Sequence, residues 1–134
     1  MMFLDSSFVI ASKIEDDEHH TKAIKFLYEL IKKNDIGLII SDYVFDEIMT
    51  VIFVKTKDLS VAIDLGSVLK SAVRILRIDE DIFEKTWEIF KNQKGTRLSF
   101  TDCSTLALME NERIKNIATF DKDFGKIDGI KVVG

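Results

Sequence analysis

An α/β fold, with a mainly parallel sheet covered by helices, is what this sequence predicts, and three observations carry the prediction. Short runs rich in Ile, Val, Leu and Phe alternate with longer segments of helical period, the pattern of successive strand–helix units. The chain has 134 residues, 46% hydrophobic and 31% charged, the size and balance of one globular domain over residues 1–134. It contains no proline and only six glycines, a composition poor in linkers and long flexible loops.

The elements follow in order. Met2 to Leu4 is a short apolar strand. The charged run Glu15 to Glu18 reads as a solvated turn, and His19 and His20 as first-turn residues of the helix after it. In that helix Ala23, Phe26, Leu27, Leu30 and Ile31 recur at the i, i+3, i+4, i+7, i+8 spacing of one face. Ile36 to Ile40 is the second strand. A helix from about Asp42 to Lys55 turns Val44, Ile48, Val51 and Ile52 inward, and Ser60 caps another bearing Val61, Leu65, Val68 and Leu69. Arg74 to Ile78 is the third strand. Asp79 caps a helix whose Ile82, Phe83, Thr86, Trp87 and Phe90 share a face, and the polar loop Asn92 to Arg97 ends it. Ser99 opens the last long helix, through Leu106, Ala107 and Glu110. Asn116 to Phe120 and Ile130 to Val133 are the fourth and fifth strands.

Charge and cysteine content narrow the function. With 23 acidic against 19 basic residues the net charge is −4, so the surface as a whole repels polyanions, and contact with nucleic acid must be local or metal-mediated. Cys103 is the single cysteine, which rules out an internal disulfide. With no charged-then-apolar leader in the sequence, the expectation is a reducing cytoplasm. No apolar run approaches the about 20 residues of a membrane span.

Four acids follow strand ends: Asp5, Asp42, Asp79 and Asp121. Ligands of open α/β sheets bind outside the carboxyl ends of the strands, but aspartate is also a common cap and turn residue. Asp42 and Asp79 read as caps. Asp5 differs because it lies between an apolar strand and the apolar run Phe8, Val9, Ile10, where an ionised carboxylate needs hydrogen bonds, a basic partner or a cation; Ser7 is placed to orient it. Asp102, three residues after Ser99, suits both a capping box and a catalytic acid. Glu47 lies beside Val44, Ile48 and Val51, nearer the apolar stripe than the solvent face. Two histidines and one cysteine do not make the usual zinc sets. Converging carboxylates select Mg²⁺ or Mn²⁺, ions that activate water and neutralise charge on a phosphodiester. An Asp-x-Asp phosphotransferase motif fails at Ser7, and no phosphate-cradling glycine loop or nucleophile elbow is present.

Four segments together resemble one family. FLDSSF with Asp5, SDYVFDEIMT with Glu47, RLSFTDCSTLALM with Asp102 and ATFDKDF with Thr119 and Asp121 are similar, in order and interval, to the motifs of PIN-domain ribonucleases, specifically the small VapC-type toxins of type II toxin-antitoxin pairs. The resemblance implies a three-layer sandwich with sheet order 3-2-1-4-5. It also implies metal-dependent endonucleolytic cleavage of RNA, with Asp5, Glu47, Asp102 and Asp121 as catalytic and metal-binding acids, and Asp42, Asp46 and Asp123 as rivals for the outer positions. Arg97, with Lys94 and Lys122 behind it, is the candidate for substrate phosphates. A homodimer and a small antitoxin that holds it inactive are the implied partners. A silent PIN-like binding module and a housekeeping RNA-processing nuclease are the alternatives.

Overall fold

The computed structural model describes residues 1–33 and 35–134. Five strands, β1 (Met2–Leu4), β2 (Leu38–Ser41), β3 (Arg74–Leu76), β4 (Asn116–Ala118) and β5 (Lys131–Val133), form one sheet of order β3-β2-β1-β4-β5. Every pairing is parallel, with Phe3 opposite Ile39 on one side and Ile117 on the other. Helices on both faces bury the central strands, so β1 shows no alternation and all three of its residues lie in the core. This is the three-layer arrangement and the strand order that the sequence motifs implied.

The helices are α1 (Ser6–Lys13), α2 (His20–Lys33), α3 (Asp42–Thr56), α4 (Leu59–Ala72), α5 (Glu80–Lys91) and α6 (Phe100–Glu112). Sequence periodicity missed α1, because Phe8, Val9, Ile10 and Ala11 are all buried and leave no polar stripe to mark a period. Two strands end earlier than their apolar runs, β3 at Leu76 and β4 at Ala118, and β2 is shifted to Leu38–Ser41.

The capping assignments divide. Asp79 accepts the Ile82 N–H at 2.9 Å and starts α5 as expected. Ser41, not Asp42, caps α3; Asp42 is the first helical residue and accepts from the N–H groups of Tyr43 and Ile78, tying α3 to the end of β3. Likewise α4 begins on Asp58, whose carboxylate accepts both the N–H and the hydroxyl of Ser60. A buried carboxylate-free hydroxyl suffices at Ser41, while the exposed start of α4 takes the stronger charged acceptor.

Several apolar residues assigned inward point to solvent. Ile31, Val68, Phe83, Trp87 and Phe90 are exposed, while Ala23, Leu30, Leu69, Ile82 and Thr86 fill the core positions of the same helices. Phe83 and Phe90 instead pack on Phe100, with ring centroids 5.5 and 5.7 Å away. At Gly66 the backbone of α4 comes close to α3: an added Cβ would lie 2.9 Å from Met49 Sδ. Among the described residues no helix is long and apolar enough to cross a membrane.

Candidate active site

The chain leaves β1 through α1 and α2 to β2, and leaves β2 through α3 and α4 to β3, always moving outward. It then crosses back through α5 and α6 to β4 on the other side of β1. Connections from β1 and into β4 thus run in opposite directions, the topology that in open α/β sheets places ligand sites at the carboxyl ends of the strands. Asp5 tops β1 there, and Thr119 and Asp121 top β4.

Asp5 is buried, 3% exposed, and is held by hydroxyls. Ser7 Oγ and Thr119 Oγ1 each lie 2.7 Å from the same carboxylate oxygen, Oδ2. Both hydroxyls also accept backbone N–H groups of the loop after β4, Ser7 from Phe120 at 3.1 Å and Thr119 from Asp121 at 3.0 Å. Each hydroxyl has one proton. The two hydroxyls lie 3.2 Å from each other, but an ionised carboxylate can only accept, so both protons go to Asp5, and Oδ1 is left without a side-chain donor among the described residues. The sequence pointed to Ser7; the equal part of Thr119 depends on β4 lying beside β1.

The other acids relate to this carboxylate in pairs: Glu47 and Asp102 each couple to Asp5, and Asp121 couples to Asp102. Glu47, half-buried on α3, accepts a hydrogen bond from the hydroxyl of Ser6, the buried first residue of α1. Ser6 was not singled out by the sequence, because only the packing of α1 against α3 makes the contact. Asp102 forms a full capping box: its N–H donates to Ser99 Oγ and its Oδ2 accepts the Ser99 N–H, both at 3.0 Å. Asp102 is therefore part of a helix cap, and its charge is coupled to that of Asp5 as well.

Electrostatics couple the four. Burial pushes the Asp5 carboxyl above the usual range, the Ser7 and Thr119 hydroxyls pull it back, and the charge of Glu47 raises it again. Asp102 is pushed up to about 6, first by burial and then by the charge of Asp5, with Asp121 adding to it. Among the described residues none of the four forms an ion pair with a lysine, arginine or histidine. A cluster of this kind has its charge deficit unmet by the protein itself.

The rival acids are engaged elsewhere. Asp123 accepts the Arg97 N–H at 2.8 Å and pairs with Lys126 Nζ at 2.9 Å, and these partners hold its carboxyl below the usual range. Asp121 instead caps the 3-10 turn Lys122–Lys126 through one oxygen, accepting the Asp123 N–H at 2.9 Å. Asp42 is used by two amides, and Asp46 is exposed. Arg97 is exposed in the loop before α6; Gln93, which the sequence did not flag, braces that loop through bonds with both the N–H and carbonyl of Leu98. Lys94 and Lys122 are exposed as well. Cys103, beside Asp102, is buried, and its thiol is pushed up to about 11 by that burial and by the neighbouring carboxylate, which suits a core residue and not a nucleophile.

Among the described residues no three acid, histidine or cysteine side chains already stand at the mutual spacing of a closed metal shell. The donor chemistry nonetheless fits a hard divalent cation. The donors are all oxygen, Asp5 Oδ1 has no side-chain donor, and among the described residues none of the four acids has a basic partner.

A parallel five-stranded sheet of order β3-β2-β1-β4-β5 with a buried aspartate at its switch point defines a nuclease-like α/β domain of the PIN class. A model of the PIN domain matches residues 2–130, and the chain belongs to the PIN domain family. Over 132 residues, 98% of both chains, it is 25% identical to the 23S rRNA-specific endonuclease VapC20 of Mycobacterium tuberculosis, in strains CDC 1551 / Oshkosh and H37Rv. The crystal structure of Mycobacterium tuberculosis VapC20, a Sarcin-Ricin loop cleaving toxin, superimposes with TM-score 0.81 at 24% identity, covering 94% of each chain. VapBC from Salmonella typhimurium, solved bound to DNA, matches with TM-score 0.72 at 20% identity, covering 98% of this chain and 96% of that one. These structural likenesses establish the shared fold.

Proposed function

We propose that the protein is a divalent-metal-dependent endoribonuclease, the toxin of a type II toxin-antitoxin pair. The observation that carries the reading is Asp5: a buried carboxylate at the switch point, fixed through one oxygen by Ser7 and Thr119, coupled to Glu47 and Asp102, and paired with no basic group among the described residues. Asp5 and Asp102 would hold Mg²⁺ or Mn²⁺, with Glu47 and Asp121 completing the pocket directly or through water. Such an ion, when bound, supplies charge neutralisation at the phosphate and a more acidic water. The protein's own part is orientation: Ser7 and Thr119 fix Asp5, Ser6 fixes Glu47, and the capping box fixes Asp102. Arg97, exposed in the loop before α6, would meet substrate phosphates. The curated relatives make ribosomal RNA the first substrate to try.

An antitoxin and a second copy of the chain are the proposed partners, in the cytoplasm. Exposed apolar side chains on α3 and α4 (Phe53, Val54, Leu59, Ile63) and on α5 (Phe83, Trp87) support the presence of protein partners. The test is cleavage of purified ribosomal RNA in Mg²⁺ or Mn²⁺, with chelator and with Asp5→Asn. Cleavage that survives exhaustive chelation, or persists in Asp5→Asn, would refute the proposal.

A further inference from the structure

Three rings form a column that runs from the core to the surface past the end of β4. Phe8 is buried in α1; the Phe120 ring lies 6.0 Å from it at 25°, and the His19 imidazole lies on Phe120 at 4.3 Å and 6°. Phe120 stands between Thr119 and Asp121, and its N–H donates to the Ser7 hydroxyl that holds Asp5. The outermost ring therefore stands one ring beyond a residue flanked by Thr119 and Asp121. His19 is not part of α2 as periodicity suggested; it precedes the helix and leans onto the end of β4.

Its backbone is fixed for the purpose. The His19 N–H donates to Asp17 Oδ1 at 2.8 Å, its carbonyl accepts the Ala23 N–H at 2.9 Å, and His20 Nδ1 lies 2.7 Å from the Ala11 carbonyl oxygen, joining the start of α2 to α1. The side chain remains 40% exposed, with Nε2 3.3 Å from the Glu18 carboxylate. That edge is next to an acid and repels phosphate. What His19 still offers is a ring face, and among the described residues no ring other than Phe120 stacks on it.

We propose that His19, backed by Phe120, is a stacking platform for one unpaired RNA base flanking the scissile phosphate. The inference rests on the endoribonuclease reading and adds a base-binding subsite to it. Unpaired bases are the accessible targets in RNA, and an aromatic face accepts any of them without needing a positive surface. This suits a chain of net charge −4, whose acid site repels RNA until a cation is bound.

The experiment uses the whole protein with Mn²⁺ and an oligoribonucleotide spanning a cut site mapped on ribosomal RNA. A second set of oligonucleotides carries an abasic nucleotide at each position flanking the cut. Loss of a stacked base costs about tenfold. His19→Ala should raise KM about tenfold, with the loss falling on KM and not on kcat, and His19→Tyr should restore it. At one flanking position the abasic substitution should cost the unaltered protein and His19→Tyr about the same factor and cost His19→Ala nothing more. Equal abasic penalties in all three proteins, or an unchanged KM in His19→Ala, would overturn the subsite and leave the ring to packing or to a protein partner. Were His19→Ala to unfold, the position-specific penalty in the unaltered protein and His19→Tyr still decides, since its absence at every flanking position overturns the proposal. An unaltered protein that cleaves no RNA would overturn the nuclease reading, and the subsite with it.

Discussion

Replacing Asp102 with asparagine should stabilise the metal-free protein, and the gain should depend on pH. In the unfolded chain this carboxyl ionises at 3.8, in the folded protein at about 6, because burial and the charge of Asp5 disfavour its ionised form. The folded state therefore binds more protons than the unfolded state between these values, and stability falls as pH rises through that window. Below it both states are protonated and the cost is absent; above it the cost is complete. At about 1.36 kcal/mol per pH unit the ceiling is about 3 kcal/mol. Asp102 is only partly buried, so solvent screening reduces the expectation to about 1–2 kcal/mol, or about 5 °C in Tm for a domain of this size. Asparagine keeps an oxygen to accept the Ser99 N–H, so the helix start survives. The assay is urea or thermal unfolding in chelator, with both proteins measured from pH 4 to pH 7.5. The two should agree at the acid end, and Asp102→Asn should lead above pH 6. Added Mn²⁺ should reverse the order, since only the intact carboxylate set gains binding energy in the folded state. A stability difference that is flat across pH, or a destabilised asparagine variant, would refute the electrostatic account and leave Asp102 as a structural cap.

Two further predictions separate neighbours that look alike in sequence. Asp79 caps α5 above the edge strand β3, about 10 Å from the β1 column at the usual strand spacing. Asp79→Asn should leave both Tm and RNA cleavage nearly intact, whereas Asp121→Asn, on the strand beside β1, should cut cleavage severely with little change in Tm; equal losses would refute the fourth-acid assignment, and normal cleavage in Asp121→Asn would move that role to Asp123. Ser6→Ala removes the hydroxyl that orients Glu47; it should weaken Mn²⁺ binding severalfold by calorimetry and cost about 1 kcal/mol of stability, and unchanged Mn²⁺ affinity would show that Glu47 needs no such brace.

Sequence by itself determined the alternation of strands and helices, the caps at Asp79 and Ser99, and the four acidic motifs, because each is a local or periodic property. An apolar run, a residue just past a strand end, or a serine three residues before an aspartate carries its meaning within one element. Periodicity could not find α1, which is buried on nearly every side, nor tell that Phe83, Trp87 and Phe90 face outward while Thr86 is in the core. The tertiary structure alone decided the site's internal order. Thr119 meets Asp5 across 114 positions of sequence and Ser6 meets Glu47 across 41, contacts that exist because β4 returns to the side of β1 and α1 packs on α3. The same return carries Phe120 under His19, joining a histidine from before α2 to the end of a distant strand. Those pairings depend on strand order and crossover direction, which no window of local sequence contains.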